Sequence, residues 1–328
     1  RNTTYYWRVD EVKSSGTVTG DVWSFTSTSP KVFEWNFANG DLAPALGNGV
    51  LSYADGASTS NSTSFGVSDG STVPHIGGYP TRYMRVPGFA SAASGYHVTL
   101  TDTGPNGGGV YINQFTVIFD MLVPAPLGRT ALFNTNPQNA NDADFYVETN
   151  GRVGTSGIGY STPGVIASNA WHRIAFVADL AAGTVAYYVN GNSVFNGASA
   201  LDGRYSLYSA VDGGPDVLLF NEGDTSGVYT HVVYLSSFAF TDRAITAAEI
   251  QSLGGVNDLG IFVHTLPALV ITRDGNQVRL NWRGGPGIRL QRSAGLAPTN
   301  WADVNGTVGL SNFVESISGD TQFYRLTR

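Results

Sequence analysis

The chain has 328 residues and a net charge of −7. Only 13% of it is charged, 42% is hydrophobic, and cysteine is absent. Its two lysines, Lys13 and Lys31, make no basic patch, which excludes nucleic acid as a partner because phosphate binding needs clustered Lys and Arg. No apolar run approaches the ~20 residues of a membrane-spanning helix, so membrane insertion is not expected, and no disulfide framework is available.

The first predicted element is a hairpin over residues 1–30. "TYYWRVDEV" and "DVWSFTS" alternate apolar and polar residues, and "KSSGTVTG" between them is rich in turn formers. A lone hairpin is marginal in water. Trp7, Val9, Trp23 and Phe25 are therefore expected to be covered by the following domain, by a neighbouring chain or by further strands. "NTTYYWRV…GDVWSF" resembles the last two strands of a fibronectin type III domain. The resemblance implies a tyrosine corner at Tyr5 or Tyr6. It also implies that the chain is a piece of a longer protein.

Residues 31–264 read almost entirely as strand and turn. "QFTVIFDMLVP" is a long apolar strand ended by Pro124, while Asn150-Gly151 and Asn190-Gly191 are two-residue hairpin signals. The strands predict a two-sheet sandwich or a closed barrel. A single short helix is expected at Thr246–Leu253, with Thr246 as N-cap, Glu249 completing a capping box and Gly254 ending it. "WHRIAFVADLAAGTVAYYVNGNSVF" and "VYLSSFAFTDRAITAAEIQSLGG" together resemble the laminin-G-like, concanavalin A-like jelly rolls. The resemblance implies an all-β jelly-roll sandwich, with Trp35 and Trp171 in cores. Many relatives hold calcium with an Asp on the last strand. Here that stretch reads Thr230, His231, Val232, with no carboxylate.

Residues 265–328 are again β-rich, with a hairpin across Asp274-Gly275 and a domain boundary suggested by Pro267. The wording "LQRS…WADV…FYRL" resembles a small Ig-like β-sandwich found at the C-termini of secreted bacterial proteins.

Sugars are gripped by aromatic faces and by planar polar side chains. The long connection "DGSTVPHIGGYPTRYMRVPGF" offers His75, Tyr79, Arg82 and Tyr83 as glycan-binding candidates. Tyr160, Arg204 and Tyr208 lie in two similar stretches. For any one of these residues, packing against the sheets is the competing role. Calcium is the one cation the loops suit. "QNANDAD" supplies Asn139, Asp142 and Asp144, and "NEGDTSG" supplies Glu222 and Asp224. Turn chemistry accounts for the same residues equally well. The five histidines form no zinc motif.

No catalytic residue is assigned. The paired-carboxylate strand motif of jelly-roll glycosidases is missing. Asp144 and Glu148 share a strand face but stand about 13 Å apart by strand rise, too far for either hydrolytic mechanism. The expected function is a non-catalytic array of extracellular or cell-surface modules, of bacterial type, that binds a polysaccharide or cell-surface glycan. The N-terminal hairpin is expected to contact neighbouring domains or chains. Two alternatives stand beside it. One is an accessory C-terminal region of a larger secreted hydrolase; the other is a structural subunit of an extracellular fibre or surface layer.

Overall fold

The computed structural model describes residues 3–27, 30–89, 91–135, 142–207, 217–222, 231–262, 269–282, 288–295, 301–317 and 321–327. The chain divides into two compact units, Arg1–Lys31 and Val32–Arg328. In the first, β1 (Thr3–Trp7) pairs antiparallel with β4 (Trp23–Ser27). The connection folds into its own small hairpin, β2 (Glu11–Lys13) with β3 (Gly16–Val18). Trp7 and Trp23 lie directly opposite and stack at 6.2 Å, yet remain 52% and 60% exposed.

The second unit begins with β5 (Val32–Trp35), β6 (Val50–Tyr53), a short helix α1 (Ala57–Ser62), β7 (Ser64–Val67), β8 (Arg82–Val86) and β9 (Tyr96–Thr99). It continues through β10 (Gln114–Leu122), β11 (Thr130–Asn134), β12 (Phe145–Val147), β13 (Val153–Thr155) and β14 (Gly159–Tyr160). Then follow β15 (Trp171–Asp179), β16 (Thr184–Val189), β17 (Asn192–Ala198), β18 (Val217–Leu219), β19 (Val233–Thr241) and a helix α2 (Ala247–Leu253). These strands form two antiparallel sheets. The eight-stranded sheet runs β17-β16-β15-β10-β19-β8-β7, with β5 also pairing β19; the seven-stranded sheet runs β14-β13-β12-β11-β18-β9-β6.

The architecture is an all-β jelly-roll sandwich, and its core lies between the sheets. Phe115, Val117, Phe119 and Met121 of β10 point inward to meet Phe133, Phe145 and Phe220. The alternate β10 residues face the other way without meeting water: Ile118 packs with Ile245 and Ile250 beneath α2. A strand covered on both sides carries a near-continuous apolar run, which is what "TVIFDML" is. The one charge in that run, Asp120, is fully buried and receives both forks of Arg173 from β15, at 2.7 Å each. Arg173 also donates to the Leu253 carbonyl at 2.6 Å and the Gly260 carbonyl at 3.1 Å, tying the segment after α2 to the sheet. Glu34 of β5 completes this clamp by accepting from Ile261 N at 2.8 Å and Phe262 N at 2.7 Å. Only glycine fits at 260, where φ is 130° and a Cβ would run into the Glu34 carboxylate.

The expected α2 is present with its full capping box. Thr246 N donates to Glu249 at 2.9 Å, and Glu249 N returns to Thr246 Oγ1 at 3.3 Å. Asn190 and Gly191 both take positive φ, 51° and 82°, as a two-residue hairpin turn requires. Helix α1 is an addition to the single helix expected. Its Ser/Thr-rich sequence has no amphipathic period; Asp55 starts it by accepting from Thr59 N at 2.8 Å, and Thr59 is buried. Beyond the jelly roll, β20 (Val270–Asp274), β21 (Gln277–Asn281) and β24 (Asn312–Ser316) make one small sheet. The strands β22 (Arg289–Ser293), β23 (Ala302–Asp303) and β25 (Phe323–Thr327) make another, and Leu280, Leu290, Val304 and Leu326 are buried together. No described helix is long and apolar enough to cross a membrane.

Candidate functional site

Strand β12 sets the site. Phe145 and Val147 enter the core, so period-2 alternation turns Tyr146, and Glu148 just past the strand, onto the outer face of the seven-stranded sheet, whereas Asp144 precedes β12 and acts on Tyr187 and Tyr205 of the inter-sheet core. Tyr146 lies opposite Ala131 on one side and Gly154 on the other, and Gly154 lies opposite Tyr160. Gly154 has φ 145°, and a Cβ there would strike the Gly159 carbonyl and come within 2.7 Å of Tyr160 Cα. Glycine at this position lets the Tyr160 strand close up against the row.

Charged groups surround these rings. Arg129 lies over the Tyr146 ring, 4.4 Å from its centroid, with Nε 3.3 Å from Glu148. Arg152 sits on the Tyr160 ring at 3.8 Å. Glu222 comes from the far end of β18, where Phe220 takes a positive φ of 59°. Asn221 then anchors the turn, donating to the Ser91 and Ser94 carbonyls at 2.8 Å each. So aimed, Glu222 accepts from the Tyr146 hydroxyl at 3.1 Å. Burial, reinforced by the Glu222 charge, holds the Tyr146 phenol well above its ordinary pKa. Tyr160 is raised by burial and by the charge of Glu148.

At the neighbouring end, Asp144 is buried and accepts from Thr135 N at 2.8 Å, Thr135 Oγ1 at 2.7 Å and Arg204 Nε at 2.8 Å. Burial raises its pKa, while the bonds from Arg204 and Thr135 pull the other way. Arg204 also donates to the Asp142 carbonyl at 2.6 Å. The cluster opens to solvent through side chains rather than its floor. Arg204 is 41% exposed, Arg129 28% and Glu148 13%, while Tyr146 and Glu222 are buried.

The residues picked out in the sequence therefore separate. Tyr160, Asp142 and Glu222 lie near Tyr146 and its arginines, while Arg204 and Asp144 pair beside Tyr205 of the core. His75, Tyr79, Arg82 and Tyr83 lie on the opposite side of the sandwich. There the 68–81 loop packs down: Trp171 Nε1 donates to the Pro74 carbonyl at 2.7 Å, and Val73 and Ile76 are buried with Leu122 and Trp171. His75 is held by the Ser68 hydroxyl at 2.8 Å, and Tyr83 meets Tyr234 edge-on at 5.1 Å. Tyr79 and Arg82 remain at the surface. Tyr208, Asn139 and Asp224 lie outside the described residues, and the last two are calcium candidates. Among the described residues no three of His, Asp and Glu are grouped to hold a metal ion. Arg129, Arg152 and Tyr146 were not singled out as binding residues from the sequence. The alternation of Tyr146 and Glu148 was the available signal for Tyr146.

No protein-family model and no curated protein matches the chain. Solved structures do. Domain 4 of the GH43 extracellular arabinanase AbnA from Geobacillus stearothermophilus, in complex with arabinotriose, is 17% identical. The match covers 69% of this chain and 100% of that one, with a TM-score of 0.42. The CBM40 of the Ruminococcus gnavus IT-sialidase, bound to α2,3-sialyllactose, is 16% identical over 44% of this chain and 83% of that one, at 0.36. The receptor-binding domain of botulinum neurotoxin D is 11% identical over 74% and 66%, also at 0.36.

Proposed function

We propose that the jelly roll is a non-catalytic glycan-binding module of an extracellular protein, and that it binds through the outer face of the seven-stranded sheet. The observation that carries this reading is the partly open Tyr160 ring, with Arg152 on it, beside the Arg129–Glu148 ion pair. A sugar presents C–H faces and hydroxyls. Aromatic faces suit the first, and guanidinium and carboxylate groups suit the second. Residues 31–264 are this module in our reading, between a fibronectin III-like end at 1–30 and a small Ig-like domain at 265–328. Calcium, if bound, belongs to the loops that carry Asn139 and Asp224.

The test is affinity electrophoresis of the full chain through polysaccharide gels, beside variants Tyr160→Ala and Arg152→Ala. Retention of the parent chain by a glycan is expected, with each variant losing it while melting cooperatively. Equal retention of both variants, or none for any chain, would refute the assignment. Release of reducing sugar by the parent chain would refute the non-catalytic part.

A further inference from the structure

The two small sheets beyond the jelly roll fill the space between them at one end and leave it open at the other. Leu280, Leu290 and Leu326 pack together at the filled end. Two residues along each strand, on the same inward face, stand Val278, Arg292 and Tyr324, and Glu315 of β24 lies opposite Val278. The polar groups bridge the sheets. Glu315 accepts from Arg292 Nη1 on one oxygen and from the Tyr324 hydroxyl, at 2.7 Å, on the other. Beside this bridge is a cavity of about 500 Å³, within the ~300–1,000 Å³ of ligand pockets. Ile271, Val278 and Ile317 give it an aliphatic wall, and Gln322 adds an amide that has no partner among the described residues.

The strand edge beside the cavity is unpaired. β24 ends its sheet and pairs with β21 alone. Ile317 N donates to the Asn276 carbonyl and Trp282 N to the Ser311 carbonyl, each at 2.9 Å. An antiparallel ladder alternates, so residues 311, 313, 315 and 317 turn their backbone groups toward β21. Those of Asn312, Val314 and Ser316 turn the other way, and among the described residues no backbone group pairs with them. Such an edge is a template for another strand, and proteins blunt it with charges, proline or bulges. β24 has no proline and no register shift, and its outward side chains, Asn312, Val314 and Ser316, are uncharged. Its one charge, Glu315, points inward and is neutralised by Arg292. Ser316 also lines the cavity, so the open edge runs into it.

We infer that this edge and cavity together bind an extended peptide segment of a partner protein, which pairs with Asn312–Ser316 as an added strand and seats an aliphatic side chain against Ile271, Val278 and Ile317. In strand addition, main-chain pairing supplies affinity and side-chain pockets supply the choice of sequence. The bridge balances one cation against one carboxylate, which suits a neutral backbone. A peptide offers a carbonyl to the Arg292 N–H groups that Glu315 leaves unused, and both a donor and an acceptor to the Gln322 amide. A sugar would stack on an aromatic face, and this wall is aliphatic. A second copy of the chain would pair β24 with β24 and leave the cavity empty, because its inward Phe313 is packed in its own core.

The experiment pans a random dodecapeptide phage library on the full chain and measures synthetic copies of the enriched peptides by fluorescence polarisation. We expect enriched sequences to share an aliphatic residue at one position. Val314→Pro removes an edge N–H that no internal bond uses, and proline is tolerated at such a place. Ile271→Asp puts a charge on the aliphatic wall at a residue already 50% exposed. Both variants should melt as the parent does and bind each peptide on the order of tenfold more weakly. Peptides N-methylated at alternate bonds, which cannot pair as a strand, should lose binding to the parent itself, an arm that needs no variant. No enriched peptide, undiminished binding by either variant, or undiminished binding of the N-methylated peptides would overturn the inference. So would dimers of the chain that Val314→Pro abolishes, which give the edge to a second copy, or displacement of the peptides by cellohexaose or mannohexaose, which gives the cavity to a sugar.

Discussion

Replacing Arg173 with Met removes every one of its four side-chain hydrogen bonds and leaves Asp120 buried without a counterion. Breaking one partner of a buried ion pair costs about 3–5 kcal/mol. A domain of this size loses about 2–4 °C of Tm per kcal/mol, so the jelly-roll transition should fall by roughly 6–20 °C in calorimetry. The deficit should also depend on pH. Burial already lifts Asp120 from 3.8 to about 6, against the pull of Arg173. A raised folded-state pKa contributes stability that is full below about 3.8 and lost as pH climbs through about 6. Without Arg173 the carboxyl rises further, so Arg173→Met should be less destabilised at pH 5 than at pH 8. The double variant Asp120→Leu/Arg173→Met should recover much of the loss, because no unpaired charge remains. It should still fall short of the parent by about 1–3 kcal/mol for carbonyls that have lost their donor. If the double variant is no more stable than Arg173→Met, or the deficit ignores pH, the buried-charge account is wrong.

Gly154→Ala should lower the melting temperature and weaken glycan retention together, because its methyl group collides with Gly159 and Tyr160; a chain with unchanged melting and binding would show that the close approach is not needed. Thr246→Ala removes the N-cap of α2 and should cost about 1 kcal/mol, read as a lower denaturant midpoint with an unchanged slope. Glu249 is held at about 2 by Arg243 and the Thr246 backbone, so its stabilising charge is in full above about 4.5 and lost as pH falls through about 2. A carboxyl titration followed by NMR should place its midpoint below that of an unpaired glutamate, and a midpoint near 4.5 would contradict the bond to Arg243.

Much of the fold was legible because period-2 alternation, Asn-Gly turns and a Thr/Glu capping box are local signals. Asn190-Gly191 and Thr246/Glu249 each declare themselves within a few residues, and each is found in place. Helix α1 was not legible. It depends on Asp55 and on burial of Thr59 by the fold around it, not on any period of its own. The Asp120–Arg173 pair escaped notice for a similar reason, since its partners are 53 residues apart. The site divides along the same line. Glu148 could be placed beside Tyr146 from the alternation that runs through β12, but the same alternation misplaces Asp144, which acts on Tyr187 and Tyr205 of the core, and Arg129, Arg152 and Glu222 arrive from other elements and meet only when the sheet forms. The loop holding His75 suggests a binding stretch because it is long. Its two buried apolar residues, Val73 and Ile76, decide its place instead.

The Glu34 clamp bears on how the jelly roll transmits tension. Val32, where the chain joins β5, lies opposite Thr241 at the end of β19, and the chain leaves past Ile261 and Phe262, both fastened to Glu34. A pull between the flanking segments is therefore borne first by one carboxylate and two amide hydrogens, alongside a four-residue strand pairing. The central strands and the outer face of the seven-stranded sheet are out of the line of force. A domain pulled by the segments on either side would open at this seam first, with the seven-stranded sheet still closed.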